Sequence, residues 1–377
     1  MDIVCYSHLR WNFVYQRPQH LMSRLAMHFR IFFVEEPVFD TGSAYVEQSR
    51  PCEGVWVLLP HLPAGLSETE KDDLLFFLLS DLFRQFAITE HIAWYYTPMA
   101  IPFGRHLNST LVIYDCMDEL TAFKFAPPQL KQQEDQLLAM ADVVFTGGFS
   151  LYESKKYYHD NIYLFPSSID KKHFEKARDL PALTNDQETI PSPRIGFFGV
   201  VDERMDIDLL RELAVKKPEW HFVIIGPVVK IDPESLPQLP NIHFLGQKNY
   251  NDLPDYISGW NVAMMPFAIN ASTRYISPTK TPEYLAAGKP VVSTAIHDVV
   301  KDYGVTGLIH IAENADEFIS SIESALRQDK KVWLKAVDIA LAGNSWDITC
   351  EKMMYQINIA LWLKKTFTIP QQKDEYV

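Results

Sequence analysis

The sequence INASTRYISPTKTPEYLAAGKPVVST, residues 269–294, combines a polar loop, a short helix and the start of a strand. It follows an apolar run at 262–267 that predicts a buried strand. Ser277 and Pro278 predict the start of the helix, because a hydroxyl N-cap followed by proline is typical of that position. Gly288 ends it, since glycine readily adopts the left-handed conformation that closes helices. The stretch therefore predicts a strand–loop–helix–strand unit.

The predicted helix start has the features of an anion site. Backbone amides near Thr279, Lys280 and Thr281 lack helical partners and lie at the positive end of the helix dipole. Lys280 adds a full positive charge, and Glu283 follows on about the same face. This combination suits a phosphate next to a hydroxyl-bearing group. An ordinary amphipathic helix with solvated Lys280 and Glu283 explains the stretch equally well.

Size and composition are those of a globular protein with two domains. The chain has 377 residues, of which 47% are hydrophobic and 22% charged. Its net charge of −13 argues against general affinity for nucleic acid or anionic membranes. No signal peptide or membrane-spanning run is recognisable, so we expect a cytoplasmic protein. The cysteines are scattered without metal-like spacing, which favours free thiols: Cys5, Cys52, Cys116 and Cys350.

Short apolar strands alternate with amphipathic helices, and the alternation restarts once. This pattern predicts an α/β protein with two doubly wound domains that face a central cleft. We assign the first domain to 1–174, a proline-containing linker to 175–193 and the second domain to 194–345. The last helix, 346–366, is expected to return to the first domain. Ligands of such sheets bind at the carboxyl ends of the strands, so residues directly after strands are the informative ones.

Three candidate residues follow strands of the second domain. Arg204 lies after the strand at 194–201, from where it could reach a phosphate; a surface arginine is the alternative. Gly226 and Gly246 each end a strand, where a flat base could lie against open backbone, although turn chemistry also explains both glycines. Asp206 and Asp208 resemble a metal-binding pair but are better explained as the cap and first turn of the next helix.

The first domain carries two further groups of candidates. Asp115 and Asp118 end a buried strand, where a carboxylate would suit holding a hydroxyl or serving as a base. Helix capping is an equally good explanation. The loop after the first strand interleaves aromatic and hydrogen-bonding side chains, as a sugar-binding site would need. Its acceptor candidates are Arg10, Trp11 and Arg17, and a simple packing loop is the alternative.

The motif at 277–292 resembles the donor-site motif of retaining GT-B glycosyltransferases of family 4, which act on nucleotide sugars. Further segments of this chain match the family in the same order, at 141–146, 165–170, 226–227 and 244–246. The segments 11–21 and 114–120 are similar to a bacterial branch of teichuronic-acid-type transferases. The resemblance covers nearly the whole chain and implies a GT-B fold.

The resemblance also implies roles for individual residues. Glu283 would bind the ribose hydroxyls of the donor. The pyrophosphate would be held by Lys280, Arg204 and the amides of Thr279 and Thr281. Asp115 or Asp118 would lie near the reacting sugar. The donor would be a nucleotide diphosphate sugar, most commonly a UDP-sugar, and no metal cofactor would be required.

The sequence departs from the family pattern at two places. The second glutamate of the pattern is replaced by Tyr275, and the glycine-rich loop after the first strand is absent.

We expect transfer of a sugar to a glycan or lipid-linked acceptor in bacterial surface polysaccharide synthesis, with peripheral association as the mode of any membrane contact. The alternatives are a nucleotide-sugar epimerase or hydrolase on the same fold, and a non-catalytic nucleotide-sugar-binding module, which Tyr275 favours.

Overall fold

Eight strands form the first sheet, in the order β3-β4-β2-β1-β5-β6-β7-β8. The computed structural model describes residues 1–180 and 186–367. Neighbouring strands are parallel except β3 and β4. The strands are β1 Asp2–Ser7, β2 Arg30–Glu35, β3 Tyr45–Cys52, β4 Val55–His61, β5 His91–Tyr95, β6 Leu111–Cys116, β7 Val143–Thr146 and β8 Ile162–Leu164.

Helices cover both faces of this sheet, so its central strands are buried on both sides as their continuous apolar runs predict. One face of the sheet packs against Leu21 and Leu25 of the first helix, and the other face packs against Leu75 and Leu79 of the second helix. The helices are α1 Arg17–Leu25, α2 Glu68–Gln85, α3 Ile101–Gly104, α4 Leu130–Met140, α5 Phe149–Lys155 and α6 Lys171–Glu175.

The second sheet has six parallel strands in the order β11-β10-β9-β12-β13-β14. They are β9 Arg194–Phe198, β10 His221–Ile225, β11 Ile242–Phe244, β12 Val262–Met265, β13 Val291–Ser293 and β14 His310–Ile311. Its helices are α7 Ile207–Lys216, α8 Leu253–Ser258, α9 Lys280–Ala286, α10 His297–Val299, α11 Ala315–Arg327 and α12 Lys330–Ala340. The predicted α/β class with two doubly wound domains is confirmed.

In each sheet the strand order reverses once: successive strands are first added on one side and then on the other. The reversal lies between β1 and β5 in the first sheet and between β9 and β12 in the second. Crevices form at such points, outside the carboxyl ends of the strands. The loops after β1 and β9 therefore meet where a ligand site is expected.

The final helix, α13 Trp346–Phe367, packs on the first sheet. Trp346, Met353 and Ile357 are buried in the same cluster as β1, and the Trp346 ring stacks on His20 at 4.8 Å between centroids. Phe174 packs into the core of the second sheet, so the change of domain begins before residue 175. Residues 181–185 of the predicted linker lie outside the described residues.

The structure differs from the sequence-based expectation at two places. Strand β3 was not predicted, because Tyr45–Cys52 is a polar, exposed strand at the edge of the sheet, where it pairs with β4. The helix at the starting motif begins at Lys280 rather than near Ser277, and its N-cap residue Thr279 makes no side-chain capping bond. The expected capping role of Asp206 is confirmed, since its carboxylate accepts from the Leu209 amide at 2.8 Å.

None of the helices in the described part of the chain is long and apolar enough to cross a membrane.

Candidate active site

A cavity of 320 Å³ opens between the two sheets at the carboxyl ends of their strands. One wall is the loop after β1, and the other is formed by the loops after β9, β10 and β11 together with the start of α9. The lining residues are Trp11, Asn12, Phe13, Val14, Tyr15, Gln16, Phe198, Gly199, Val200, Arg204, Ile225, Gly226, Pro227, Gln247, Lys248, Asn249, Tyr250, Leu253, Thr279, Lys280 and Glu283.

Lys280 extends into this cavity across the backbone of Gly199. A Cβ atom at position 199 would lie 2.1 Å from Lys280 Cε, so any other residue there would force the lysine side chain to move. The ammonium lies 5.8 Å from the centre of the Phe197 ring and 6.0 Å from that of Phe267. It makes no hydrogen bond or ion pair with any residue that the structure describes. Burial, followed by the charge of Arg204, lowers the pKa of Lys280.

Glu283 lies one turn further along α9 and is only 4% exposed. Its Oε2 atom has no hydrogen-bond partner among the described residues. Burial raises the pKa of this carboxyl group, while the charge of Lys280 and a hydrogen bond from Thr279 act in the opposite direction. An unpartnered buried carboxylate oxygen is costly, which makes it a candidate acceptor for a ligand hydroxyl.

Arg204 is held in place by Asp202. Its Nε donates to Asp202 Oδ1 at 3.0 Å, and Nη2 donates to Oδ2 at 2.7 Å. Nη1 has no hydrogen bond to a described residue, so part of the guanidinium remains available to an anion. The same guanidinium lies 5.8 Å from the centre of the Phe123 ring of the first domain. Two cations, Arg204 and Lys280, therefore converge on one cavity.

Asp118 lines a smaller cavity of 100 Å³ that shares Val200, Arg204 and Lys280 with the first. Burial raises the pKa of Asp118 to about 6, with Arg204 opposing this shift. A carboxylate with this pKa changes its protonation near neutral pH, as a general base or a hydroxyl ligand would.

Asp115 and Arg17 form a buried ion pair with each other. Arg17 Nη2 lies 2.8 Å from Asp115 Oδ1, and Nε lies 3.1 Å from both carboxylate oxygens. Arg17 Nη1 also donates to the Phe165 carbonyl at 2.8 Å. Arg17 touches the smaller cavity, whereas Asp115 is fully buried and lines neither. The pair has a structural explanation, so of the two aspartates only Asp118 lines one of these two cavities.

The predicted acceptor residues Arg10 and Trp11 lie in different surroundings. Arg10 pairs with Glu35 at 3.1 Å, donates to the Glu36 carbonyl and lines neither cavity. Trp11 lines the main cavity, and its amide donates to Glu35 Oε1 at 2.7 Å. Of these two residues, only Trp11 is placed to touch a ligand in the cleft.

The remaining predicted donor residues also divide. Gly226 lines the cavity, and a Cβ atom there would lie 1.9 Å from the Gly199 carbonyl oxygen. Gly246 does not line it; its carbonyl accepts from the Gly226 amide at 2.9 Å and so supports the lining residue. Thr279 lines the cavity, whereas the Thr281 hydroxyl points to Met265 Sδ at 3.4 Å. Thr281, whose amide was expected to hold the pyrophosphate, lines neither cavity, and that amide donates to the Pro278 carbonyl at 3.4 Å.

Tyr275, which replaces the second glutamate of the family pattern, lines neither cavity. It packs against a buried cluster of the first sheet, with the Arg274 guanidinium 5.4 Å from its ring centre. This position therefore contributes to domain contact.

Sequence reasoning named Gly246 after β11 but assigned no role to Tyr250 or to the side chain of Gln247. Tyr250 lines the cavity with a buried hydroxyl that has no partner among the described residues, and its ring lies 4.6 Å from that of Tyr15. The Gln247 amide group donates to the Phe13 carbonyl across the cleft. Their position directly after a strand was the available signal.

Within the described ranges, no group of three or more histidine, cysteine, aspartate or glutamate side chains is arranged to hold a metal ion.

Residues 192–328 match the family model of glycosyl transferases group 1. The chain is 25% identical over 272 residues to the protein named "Putative teichuronic acid biosynthesis glycosyltransferase TuaH" of Bacillus subtilis (strain 168), covering 67% of this chain and 68% of the relative. A solved E. coli structure, "Trehalose-6-phosphate from E. coli bound with UDP-2-fluoro glucose", matches with a TM-score of 0.67 at 11% identity, covering 96% of this chain and 99% of that one.

A second solved structure, sucrose-phosphate synthase from Thermosynechococcus elongatus, matches with a TM-score of 0.65 at 14% identity and covers 96% of this chain and 100% of its own. At these identities the structural matches establish the fold, which is GT-B. The family model covers the domain that carries Arg204, Lys280 and Glu283. The chain therefore has a GT-B fold, and the family match over its second domain indicates a glycosyltransferase.

Proposed function

We propose that this glycosyltransferase uses a nucleotide diphosphate sugar, with UDP as the nucleotide, and transfers the sugar with retention to a glycan or lipid-linked acceptor. The observation that carries the proposal is the convergence of Lys280 and Arg204 on one cavity beside the unpartnered Glu283. In this proposal no metal ion is needed, since two side chains supply the positive charge.

The two cations would act on the leaving group. When the bond between the sugar and the diphosphate breaks, negative charge grows on the diphosphate oxygens. Lys280 has no anionic partner within hydrogen-bonding distance among the described residues, and Arg204 keeps Nη1 free of such bonds. Preorganised charges of this kind stabilise the transition state without reorganisation, particularly in a partly desolvated site.

Two unpartnered buried groups would hold the nucleoside. Glu283 Oε2 and the Tyr250 hydroxyl both lack partners among the described residues and belong to the same cavity. A ribose offers neighbouring hydroxyls that can donate to the carboxylate. The Tyr15 and Tyr250 rings, together with Gly226, provide flat surface for a base. The amides of Thr279 and Lys280 contribute at the diphosphate.

Asp118 would act at the reacting sugar. It lines the smaller cavity that continues from the cations, where the transferred sugar and the acceptor hydroxyl would meet. A carboxylate there can hold a sugar hydroxyl or take the proton of the acceptor. Retention of the anomeric configuration is supported by the resemblance of the motif at 277–292 to retaining enzymes.

The biological setting belongs to the proposal as well. A role in bacterial surface polysaccharide synthesis is supported by the 25% identity with the teichuronic acid glycosyltransferase homologue. A cytoplasmic site of action is supported by the four cysteines, which are all free thiols.

Calorimetric titration with UDP, GDP, TDP and ADP, each with and without magnesium, tests the donor proposal. We expect UDP to bind without magnesium and Lys280→Ala to weaken it at least tenfold, since a buried charge contact to phosphate is lost. Lys335→Ala, which removes an exposed lysine of the same domain, should bind UDP like the wild type.

Unchanged UDP affinity in Lys280→Ala would contradict the assignment of the diphosphate site. Preference for another nucleotide would correct the donor. Binding of a nucleotide sugar without transfer to any acceptor and without hydrolysis would favour the non-catalytic module. The anomeric configuration of a product, measured by NMR, tests whether transfer proceeds with retention.

A further inference from the structure

A separate cavity of 400 Å³, here named the second cavity, lies wholly within the first domain and is distinct from the main and the smaller cavity of the cleft. It is formed by the ends of β1, β2 and β5, by α2 and by the segment 127–129. Its lining residues are Tyr6, Ser7, Val34, Glu35, Glu36, Pro37, Phe39, Glu68, Lys71, Leu75, Thr97, Met99, Ala100, Phe103, Pro127, Pro128 and Gln129. The carboxyl ends of the strands are the edge that faces the cleft.

The walls of this cavity are mainly apolar. Val34, Leu75 and Phe103 belong to the buried core or lie against it, while Phe39 is 50% exposed. An aromatic ring left half exposed beside an apolar cavity has surface that a ligand can cover. A volume of 400 Å³ also lies within the roughly 300–1,000 Å³ range of small-molecule sites, which are predominantly apolar with few polar groups.

The charged groups around the cavity are unfavourable for anions. Three carboxylates, Glu35, Glu36 and Glu68, line it together with one ammonium group, Lys71. Lys71 is already paired with Glu68 at 2.6 Å. Burial raises the pKa of Glu36, with Arg10 acting against this shift. A phosphate or carboxylate placed here would therefore be repelled by these carboxylates. Among the described lining residues it would find no cation that is not already paired.

One hydrogen-bonding group of the lining is unsatisfied. Tyr6 stacks on Tyr95 at 4.7 Å and meets Phe103 edge-on at 5.9 Å, but its hydroxyl has no partner among the described residues. A buried hydroxyl without a partner costs free energy, and a neutral polar atom of a ligand can satisfy it without introducing charge.

The loop after β1 connects this cavity to the donor site. Trp11 lines the cleft cavity, and its amide donates to Glu35, which lines the second cavity. From the other side, Lys230 of the second domain is close enough to act on the pKa of Glu36, and its ammonium lies 5.5 Å from the ring centre of Phe123. The Phe123 ring in turn neighbours Arg204. The two cavities therefore lie on either side of one loop at the same cleft.

We propose that this second cavity binds an uncharged apolar group of the acceptor, such as an alkyl chain linked to a neutral sugar. The inference rests on the proposed function and narrows its acceptor to a class. The neutral sugar would reach past the loop at Trp11 toward Asp118, while the apolar group stays in the first domain. Phe39 and Met99 contribute walls to the site.

The test is calorimetric titration of the full chain with hexyl, heptyl and octyl β-D-glucopyranosides below their micelle thresholds. We expect saturable binding with one molecule per chain, and an affinity that rises about threefold to fourfold for each added methylene, as burial of apolar surface requires. Glucose should bind far more weakly than the octyl glucoside. Octyl phosphate, with the same chain and an anionic head, should bind at least tenfold more weakly.

Variants locate the binding site. Phe39→Ala removes a half-exposed wall, and Met99→Trp fills the cavity; each should weaken octyl glucoside binding at least fivefold. Phe77→Ala is the matched control, because Phe77 is 63% exposed on α2 and does not line the cavity. UDP titration of the same samples reports separately on the donor site.

An affinity independent of chain length, equal binding of octyl phosphate, or no effect of both cavity variants would overturn this inference. If the octyl glucoside fails to bind while UDP binds, the inference is overturned and the proposed function stands. If the octyl glucoside binds as expected while no nucleotide does, the proposed donor site is overturned instead.

Discussion

Gly199 is the residue on which the position of Lys280 depends. Its φ of +141° belongs to a region that side chains rarely adopt, and a Cβ atom would meet Lys280 Cε at 2.1 Å. The lysine therefore reaches the cavity only because position 199 carries no side chain. The added Cβ atom would have to displace either the backbone at the end of β9 or the Lys280 ammonium that we assign to the diphosphate.

Gly199→Ala should therefore weaken UDP binding at least tenfold, in addition to a backbone strain of about 1–3 kcal/mol. Calorimetry gives the affinity, and thermal unfolding shows whether the variant is folded. Gly246→Ala is the control, because Gly246 has a φ of +69° but nothing within 4 Å of its added Cβ. Equal effects in the two variants would assign the loss to strain alone.

Asp118 should give the transfer rate its dependence on pH. Because burial raises the pKa of Asp118 to about 6, the group is protonated below that pH and ionised above it. If the carboxylate form is required, transfer rises tenfold per pH unit below 6 and levels off above it. The rate at saturating donor and acceptor, measured between pH 5 and 8, checks this.

The companion variant is Asp118→Asn, which keeps the shape and removes the titration. We expect transfer to fall by about 10²-fold, as for loss of a general base, and the slope below pH 6 to disappear. UDP affinity at pH 7.5 should stay within threefold. Full transfer activity in this variant would remove Asp118 from the reaction.

At the scale of elements, the Arg17–Asp115 pair joins the start of α1 to the end of β6. Both side chains are nearly inaccessible, at 2% and 0% exposure, and Arg17 also donates to the carbonyl of Phe165. Removing one partner of a buried pair leaves an uncompensated charge, which costs about 3–5 kcal/mol. We expect Arg17→Leu to lose this much stability in urea unfolding.

A second substitution distinguishes the structural role from an acceptor role. In Arg17→Leu with Asp115→Leu, no unpaired charge remains, so a substantial part of the lost stability should return. A stable Arg17→Leu variant with impaired transfer would instead support the original prediction that Arg17 contacts the acceptor.

The elements that the sequence predicted well are the buried ones. Parallel strands covered on both faces leave continuous apolar runs, as in Ile31–Val34 of β2, and among the strands that the structure describes only the exposed polar β3 was not predicted. The start of α9 was misplaced because Ser277-Pro278 carries good local start signals. In the structure the Ser277 carbonyl instead accepts from Ser167 of the first domain at 2.9 Å, a contact that no local pattern reveals.

The residues of the candidate site that the sequence predicted are those marked by a local sequence pattern. Arg204 lies in the loop after β9, Lys280 and Glu283 lie in the first turn of α9, and all three line the same cavity. The partner of Asp115 could not be inferred, because Arg17 is 98 residues away in sequence. For the same reason the contribution of Tyr250 was missed, since its neighbours Tyr15 and His173 come from distant segments.

For the whole molecule, the decisive feature is that the two domains contribute different parts of the site. Lys280, Glu283 and Arg204 belong to the second domain, whereas Asp118 and the loop after β1 belong to the first. In the function that we propose, binding of a nucleotide depends mainly on the first set, and transfer depends on both. The relative position of the domains should therefore affect transfer more than donor binding.

Asp298 is one of the residues that fixes this relative position. It is 2% exposed, lies on α10 of the second domain and accepts from the Ser150 amide at the start of α5 in the first. The approach is close, because a Cβ atom at Gly148 would lie 2.5 Å from Asp298 Oδ2. The neighbouring His297 ring stacks on Phe149 at 6.2 Å between centroids.

Asp298→Ala should loosen the domains without touching either cavity that we assign to the reaction. We expect transfer to fall more than tenfold, UDP affinity to change less than threefold, and the radius of gyration from small-angle scattering to rise. Asp316→Ala is the control, since Asp316 makes an ion pair with Lys216 within the second domain and is 81% exposed. If Asp298→Ala lost donor binding and transfer equally, the donor site itself would depend on this contact, and the division of labour between the domains would be wrong.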